Sequence, residues 1–233
     1  MNISNLRGSR ATVMGLGLFG GGVATARFLA KRGAKVLVTD LRTPDILKDS
    51  IAALDGLPIE FRLGEHRDDD FKNTDLVVAN PAVAPSSKYL TIARDADVKI
   101  TSELDLFLHA CPSKEILAIT GTNGKTSVTT LAGEMLKLSK PRVFIGGNIG
   151  KSLLDCLDDL QQNDVIVLEV SSFQLEVLDP PKPWPRVAAV TNISPDHLDR
   201  HGTMELYCSA KRRIVEFQDS ACDAIINSSD PVV

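Results

Sequence analysis

Short apolar runs alternate with amphipathic stretches along the whole chain, a rhythm typical of β-α-β units built on a parallel sheet. The runs that predict strands fall into two series. The first covers residues 11–16, 35–40, 76–80 and 98–101, and the second covers residues 116–120, 142–145, 165–170, 187–191 and 224–227. Helical periodicity is clearest over residues 21–31, 125–138 and 203–217. The pattern therefore predicts an α/β fold with two successive parallel sheets.

A domain boundary is predicted near Cys111, because Pro112 and Ser113 separate a helical stretch from a new buried strand. Residues 1–112 then form one doubly wound domain and residues 113–233 a second α/β domain. The second domain is expected to be incomplete, because only a few residues follow its last predicted strand and none of them forms a covering helix. We expect the chain to be a fragment of a longer protein.

Composition narrows the function classes. With 43% hydrophobic and 24% charged residues, the chain can bury a sizeable core. The net charge is -4, and lysine and arginine are dispersed, so a nucleic-acid partner is not expected. Four separated cysteines, no apolar segment at the amino terminus and no run of membrane-spanning length predict a cytoplasmic protein without a membrane partner.

The first candidate site is the glycine loop "GLGLFG" after the first predicted strand. Gly15, Gly17 and Gly20 fit the dinucleotide fingerprint of Rossmann-like domains, and Asp40 ends the next strand about 20 residues later. Glycines there allow a pyrophosphate to approach the backbone at a helix N-terminus, and the acid can accept from a ribose hydroxyl. By itself the motif favours an NAD-dependent dehydrogenase. The alternative is that the glycines serve only a tight turn.

The second candidate site is "ILAITGTNGKTS", which has the strand-loop-helix order of a P-loop but Ile119 where the usual pattern has its first glycine. Backbone N–H groups of such a loop wrap phosphate oxygens, Lys125 can reach the terminal phosphates, and the hydroxyl of Thr126 can bind Mg²⁺. Glu169 stands near the end of another predicted strand, where it could complete a magnesium shell. Alternatively, Glu169 is a strand-end acid that faces water.

Two further features lie near the carboxyl end of the chain. The stretch "TNISPDHLDRH" groups polar residues that suggest metal or phosphate contacts: Asn192, Asp196, His197, Asp199 and His201. For any single histidine in such a loop, a structural hydrogen-bonding role is the default. On a helical wheel of residues 203–217, Lys211 falls within the apolar arc that includes Leu206 and Tyr207, opposite Arg213. Lys211 is either drawn inward, which lowers its pKa, or extends from the rim into water.

Taken in order, these motifs resemble the Mur ligase family, the ATP-dependent amide-forming enzymes of peptidoglycan precursor synthesis. The stretches that carry the resemblance span essentially all 233 residues and are "GLGLFG", "TDLR", "GTNGKTS", "GGNIG", "LEVSSFQLE" and "TNISPDHLDRHGTMELYCSAK". "GGNIG" and "SSFQLE" point to the branch that adds D-glutamate. The loop of that family needs no glycine at the position of Ile119. The chain departs from the family pattern at Phe19 and at Asn80-Pro81-Ala82.

The resemblance implies a role for each matching position. Lys125, His197 and Lys211 would be catalytic. Thr126 and Glu169 would bind one Mg²⁺, and His197 with Lys211 (as a carbamate) a second. ATP would contact the loop residues Gly121, Thr122, Asn123, Gly124, Lys125, Thr126 and Ser127. The UDP-sugar substrate would contact Gly15, Leu16, Gly17, Gly20, Asp40, Arg42, Asn80, Asn148, Ser171 and Gln174.

The implied reaction joins D-glutamate to UDP-N-acetylmuramoyl-L-alanine through an acyl phosphate, with ATP and Mg²⁺. Residues 1–112 would then be a Rossmann-like UDP-sugar-binding domain and residues 113–233 part of a P-loop ATPase-like domain. The third domain of the family, which binds the amino acid, would be absent. We therefore expect a monomer that does not turn over by itself.

Overall fold

The computed structural model describes residues 6–233; residues 1–5, part of the terminal stretch inspected for a targeting signal, lie outside the described residues. The chain divides into two compact units, with the division between Phe107 and Leu108. The sequence places the boundary slightly later, after residue 112. None of the helices in residues 6–233 combines the length and hydropathy that a bilayer-spanning segment requires.

The first unit alternates strands and helices. Its strands are β1 (Arg10–Met14), β2 (Lys35–Asp40), β3 (Ile59–Leu63), β4 (Leu76–Ala79) and β5 (Lys99–Thr101). Its helices are α1 (Gly21–Lys31), α2 (Pro44–Ala52), α3 (Asp69–Lys72) and α4 (Lys88–Asp95), and α5 (Glu103–Ala110) spans the division between the units.

The strands of the first unit form a parallel sheet in the order β3-β2-β1-β4-β5. Its central strands are apolar on both faces because helices cover both sides of a doubly wound sheet. Met14, Val77 and Phe71 pack with helix α4 on one face. Because β1 lies between β2 and β4, the carboxyl ends of these three strands meet at one edge, where Asp40 is the last residue of β2 and Gly15 and Asn80 directly follow β1 and β4.

The second unit repeats this architecture. Its strands are β6 (Ile116–Thr120), β7 (Val143–Gly147), β8 (Val165–Glu169), β9 (Val187–Val190) and β10 (Asp223–Ile226). Its helices are α6 (Lys125–Lys137), a 3₁₀ helix (Leu153–Asp159), α7 (Ser172–Val177), α8 (Leu198–His201) and α9 (Met204–Glu216). The parallel strand order is β10-β9-β6-β8-β7.

Strand β6 is the central strand of the second sheet, and its position determines which segments lie together at the carboxyl edge of that sheet. Ile119 and Val167 pack with Ala132 and Leu136 of α6 on one face of the sheet. The segments after β6, β8 and β9 leave the sheet at the same edge, since neighbouring parallel strands end together. Lys125, Glu169 and His197 all lie on these segments or at their borders.

The predicted α/β fold class is confirmed, and the predicted bounds of β2, β6 and α1 match the structure. Strand β3 was not predicted. It lies at the edge of its sheet, and Glu60 and Arg62 interrupt its apolar pattern. None of its five residues is buried, so the strand has no continuous apolar run.

Candidate active site at the carboxyl ends of β6, β8 and β9

The segment between β6 and α6 has the form of a phosphate-binding loop. Gly121 (φ +150°) and Gly124 (φ +79°) adopt backbone conformations that L side chains rarely take. Gly124 is the N-cap of α6, and no described side chain caps this helix end. The first N–H groups of α6 and the positive end of its dipole can therefore receive an anion.

Ile119 does not disrupt this loop, because the chain has not yet left the sheet at that position. The side chain is fully buried, and its backbone pairs in register with Glu169 of β8. The turn begins at Gly121, so a glycine at position 119 would only weaken the strand.

Lys125 folds back over the loop that precedes it. Its Nζ atom donates a hydrogen bond to the carbonyl oxygen of Thr122 at 2.8 Å. The ammonium group is thereby held at the helix N-terminus, the place in the unit best suited to a phosphate.

Glu169 is a buried carboxylate that accepts hydrogen bonds from two more exposed side chains. The hydroxyl of Thr126 donates to Oε2 of Glu169 at 2.6 Å, and Nδ2 of Asn148 donates to Oε1 at 2.8 Å. The carboxylate is only 1% exposed, so Glu169 does not face water. The backbone N–H of Asn148 also donates to the carbonyl oxygen of Glu169. The structure thus joins three of the residues that the sequence selected.

Lys211 is drawn inward. It is 2% exposed, its Nζ donates to the carbonyl oxygen of Gly121 at 2.7 Å, and it lies 4.7 Å from the ring centroid of Tyr207. Burial, with a smaller contribution from the nearby charge of Lys125, lowers the pKa of Lys211 to about 7. A large fraction of this amine is therefore neutral near pH 7, which makes it a nucleophile.

Two expectations for helix α9 were wrong. Leu206 was placed on the apolar arc but is 57% exposed, because it lies at the margin of that arc. Arg213 was placed in water but is half-buried, where it donates to the carbonyl oxygens of Leu175 and Leu178. Its charge therefore stabilises the C-terminal end of α7.

The two histidines of "DHLDRH" have different environments. His197 is exposed with φ +51°, lies 3.5 Å from the carboxylate of Asp196 and contacts the ring of Phe173. His201 is buried, its Nε2 lies 3.0 Å from Oγ of Ser172, and burial lowers its pKa. His201 thus fits a structural role.

The second predicted metal set, His197 with Lys211 as a carbamate, stays a prediction. Nε2 of His197 lies 3.5 Å from the carboxylate of Asp196, and the charge of Asp196 also acts on Lys211. Among the His, Cys, Asp and Glu side chains of residues 6–233, no group of three or more lies close enough together to hold a metal ion.

Ser171 and Gln174 form a capping box at the start of α7. Oγ of Ser171 accepts from the N–H of Gln174, while Oε1 of Gln174 accepts from the N–H of Ser171. The S-x-x-Q spacing of Ser171 and Gln174 is a sequence signal for this motif. Both side chains have a structural role here, and their contact with substrate stays a prediction.

In the first unit, the glycine loop has the conformation that its sequence predicts. Gly15, Gly17 and Gly20 have φ values of +93°, +66° and +89°. Leu16 is fully buried between the first two, whereas Phe19 is 96% exposed. The loop can therefore bring its backbone close to a ligand, with α1 starting directly after it.

Asp40 holds this loop in place. Its Oδ2 accepts from the N–H of Gly17 at 3.1 Å, its Oδ1 accepts from the N–H of Arg42 at 2.9 Å, and the residue is 3% exposed. Asn80 lies beside Gly15, where a Cβ would come within 3.0 Å of the asparagine Cβ, and its Oδ1 accepts from the N–H of Ala82. Direct contact of Asp40 with a ribose hydroxyl stays a prediction; in the structure each of its carboxylate oxygens accepts from one backbone N–H.

Comparison with known proteins bears on this arrangement. The family model of the Mur ligase MurD-like N-terminal domain matches residues 9–102, and that of the Mur ligase middle domain matches residues 119–233. A UDP-N-acetylmuramoylalanine–D-glutamate ligase from Roseiflexus is 50% identical over 98% of this chain and 49% of the relative. A Geobacter metallireducens protein of the same name is 42% identical over 97% of this chain and 49% of the relative.

A solved structure extends the comparison to the fold. The UDP-N-acetylmuramate-alanine ligase of Thermotoga maritima matches with a TM-score of 0.58 and 26% identity, over 97% of this chain and 50% of that chain. The dehydrogenase alternative is not favoured, since both family models and these relatives are Mur ligases. This chain spans about half the length of the curated relatives it matches. The protein belongs to the Mur ligase family, with an N-terminal domain of the MurD-like type followed by middle-domain sequence.

Proposed function

We propose that this chain belongs to a ligase that uses ATP to form an amide bond between D-glutamate and UDP-N-acetylmuramoyl-L-alanine in peptidoglycan precursor synthesis. The 50% identity with a relative named for that activity supports the substrate assignment. Because the chain spans about half of that relative, the activity, substrates and partners of the whole protein belong to the proposal.

The observation that carries the proposal is the hydrogen bond between Thr126 and the buried carboxylate of Glu169, beside a loop that ends at Lys125. An anion site, a fixed ammonium group and a buried carboxylate on one sheet edge suit a magnesium triphosphate. The loop residues 121–127 would contact the phosphates of ATP, and Lys125 would offset their negative charge.

The residues present fit a magnesium ion. The hydroxyl oxygen of Thr126 and the carboxylate of Glu169 are hard oxygen donors, which Mg²⁺ prefers. Thr126 and Glu169 would hold this ion, and Asn148 would orient the carboxylate from its other side. When bound, the ion would reduce the repulsion between a triphosphate and an incoming carboxylate.

In the proposed reaction, the alanyl carboxylate attacks the γ-phosphorus of ATP, the bond to the bridging oxygen breaks and ADP leaves. The amine of D-glutamate then attacks the acyl carbon, inorganic phosphate leaves with the electrons of the C–O bond, and the amine loses a proton. Lys125 would stabilise charge on the transferring phosphoryl group. Asn148, Ser171 and Gln174 would lie near the reacting end of the UDP-sugar substrate.

Lys211 and His197 would serve a second Mg²⁺. The neutral amine of Lys211 would attack CO₂, a C–N bond would form, and the nitrogen would lose a proton, which leaves an anionic carbamate. The burial of Lys211 supports this step, because burial increases the neutral fraction of the amine.

The first unit would bind the UDP portion of the substrate. The backbone of Gly15 to Gly20 would receive the diphosphate, with Leu16, Arg42 and Asn80 at the same sheet edge. Asp40 would act by holding the loop. The proposed domains are residues 1–112 for the UDP-sugar and residues 113–233 for ATP, in a cytoplasmic, monomeric enzyme. Its D-glutamate site would belong to the remaining half that the relatives carry.

Calorimetric titration of the purified chain tests this proposal. We expect binding of UDP and of ATP with Mg²⁺, weaker ATP binding after Lys125→Ala, and no response to NADH. The Lys140→Ala variant provides a matched control, because Lys140 is exposed and lies beyond the end of α6. Binding of NADH without any response to UDP or ATP would contradict the proposal. Phosphate release by this chain with all three substrates would contradict its expected lack of turnover.

A further inference from the structure

Asn192, which the sequence grouped with possible metal or phosphate contacts, has a different partner in the structure. Its side-chain amide forms two hydrogen bonds with the backbone of Asn123, in the middle of the phosphate-binding loop. Asn123 N–H donates to Oδ1 at 2.9 Å, and Nδ2 donates to the carbonyl oxygen of Asn123, also at 2.9 Å. The hydroxyl of Thr191 donates to the same carbonyl oxygen at 2.8 Å.

The residue before Asn123 is held from the same side. Thr122 N–H donates to the carbonyl oxygen of Asn192 at 2.8 Å. The Thr122 hydroxyl lies 3.0 Å from the N–H of Ser194, 3.1 Å from its carbonyl oxygen and 2.9 Å from the hydroxyl of Tyr207. A hydroxyl can donate once and accept twice, so these contacts use its full capacity. Thr122 is 8% exposed, and its side chain is therefore committed to the protein interior.

These bonds act on a segment that has few restraints of its own. Residues 121–124 lie between a strand and a helix and include two glycines with positive φ, which makes them free to sample many conformations in isolation. The side-chain amide of Asn192 donates one hydrogen bond to the backbone of Asn123 and accepts one from it, as a paired residue on a neighbouring β-strand would. It thereby fixes both backbone polar groups of Asn123.

We propose that Asn192 is a positioning residue that holds the phosphate-binding loop in its anion-binding conformation before a nucleotide arrives. Its contribution to nucleotide affinity is preorganisation, since the loop then loses less freedom on binding. This role rests on the proposed function only in taking the ligand of the loop to be the phosphates of a nucleotide. Asn192 also links the loop to the segment that leads to His197.

The test compares Asn192→Ala with Asn227→Ala in the same 233-residue chain. Asn227 is a matched control, because Nδ2 of this exposed side chain donates to the carbonyl oxygen of Thr191, on the same segment, without contacting the loop. Two quantities are measured: the amide hydrogen exchange of Asn123 by NMR, and the affinity for ATP with Mg²⁺ by calorimetry. Urea unfolding of both variants monitors the stability of the fold.

We expect Asn192→Ala to accelerate exchange at Asn123 and to weaken ATP binding about tenfold, while its urea midpoint stays close to that of Asn227→Ala. Thr122→Val should produce the same pattern, and Thr122→Ser, which keeps the hydroxyl, should restore affinity. If exchange accelerates and affinity is unchanged, or if both quantities are unchanged, the positioning role is wrong.

Failure of the proposed function gives a different result. In that case the unmodified chain binds neither ATP with Mg²⁺ nor tripolyphosphate. Hydrogen exchange at Asn123 then tests separately whether Asn192 holds the loop. If exchange at Asn123 is unchanged in Asn192→Ala, the loop-holding role of Asn192 is also wrong. Faster exchange at Asn123 in Asn192→Ala would show that Asn192 holds the loop, and only the assignment of a nucleotide as its ligand would be refuted.

Discussion

The hydroxyl of Thr126 donates to Oε2 of Glu169 at 2.6 Å, and this bond joins the first turn of α6 to the last residue of β8. The two residues are 43 positions apart in the chain. They meet because β6 and β8 are adjacent parallel strands, so their carboxyl ends share an edge. Two oxygen donors of the proposed magnesium site are therefore fixed by the sheet.

Glu169→Gln tests the proposed magnesium role. The amide keeps the size of the side chain but removes its charge, and its NH₂ group competes with Thr126 and Asn148 as a donor. We expect the Mg²⁺-dependent part of ATP affinity to fall about tenfold or more. Calorimetry with and without Mg²⁺ measures this part. Equal magnesium dependence in the variant and the unmodified chain would remove Glu169 from the metal site.

Lys211 makes stability depend on pH. Its pKa is lowered from 10.5 in the unfolded chain to about 7 in the fold, so the unfolded state binds more protons between these values. The free energy of unfolding should therefore rise with pH above 7, with Lys211 contributing up to about 1.4 kcal/mol per pH unit. Below pH 7 the lysine is protonated in both states, and its burial penalty applies in full.

Lys211→Met should flatten this dependence, because the methionine fills a similar space without an ionisable group. Urea unfolding between pH 7 and 8.5 measures how steeply the free energy of unfolding rises with pH. This range avoids most of the titration of Tyr207 and Cys111, because burial raises the pKa of both groups. Lys140→Met is the control for an exposed lysine and should follow the unmodified chain. Parallel slopes for Lys211→Met and Lys140→Met would show that Lys211 is not the titrating group.

The sequence predicts elements best where most positions are buried. Strands β2 and β6 are strongly apolar, and their predicted bounds match the structure. Strand β3 was missed because one edge strand with alternating charges resembles a loop. For Lys211 the helical wheel left two alternatives, a buried side chain or one that extends into water. From its position within the arc the long side chain could either turn inward or reach water, and the carbonyl oxygen of Gly121 that accepts its hydrogen bond is 90 positions away.

The site was predictable where a motif fixes backbone and side chain together. Gly121, Gly124 and Lys125 lie on one continuous strand-loop-helix segment, and the motif specifies their geometry. The role of Asn192 could not be read in this way. Its two bonds depend on how the segment after β9 crosses the loop, which is set by the pairing of β6 with β9.

Gly121→Ala should destabilise the second unit. A Cβ at this position would lie 1.9 Å from Oγ1 of Thr191, and the φ of +150° is unfavourable for alanine. We expect a loss of about 2–4 kcal/mol in the free energy of unfolding. Gly202→Ala is the control, because Gly202 has a positive φ but no neighbour within 4 Å of the added Cβ.

The double variant Gly121→Ala/Thr191→Ala separates the clash from the backbone strain. Removing Oγ1 of Thr191 relieves the clash, so the two substitutions together should cost less than the sum of each alone. Urea unfolding of the four proteins in this cycle measures the coupling. Additive costs would mean that the neighbouring hydroxyl is not what requires glycine at position 121.

Asp40→Asn tests the glycine loop of the first unit. The carboxylate accepts from the N–H groups of Gly17 and Arg42, one on each oxygen. An asparagine has only one accepting oxygen, so one of these N–H groups would face an NH₂ donor. The cost should be about 1–3 kcal/mol, because the site is 3% exposed and water cannot replace the lost acceptor. UDP affinity should fall with the loss of loop order, even though Asp40 need not touch the ligand.

Asp55→Asn provides the comparison, since Asp55 is exposed and follows α2 in the same unit. Urea unfolding and UDP titration are measured on both variants, and amide exchange at Gly17 reports directly on the bond to Oδ2. A loss of UDP affinity with unchanged exchange at Gly17 would mean that Asp40 contacts the nucleotide itself, as the dinucleotide fingerprint predicts. A loss of both would support the positioning role, because the loop then fails before any ligand is present.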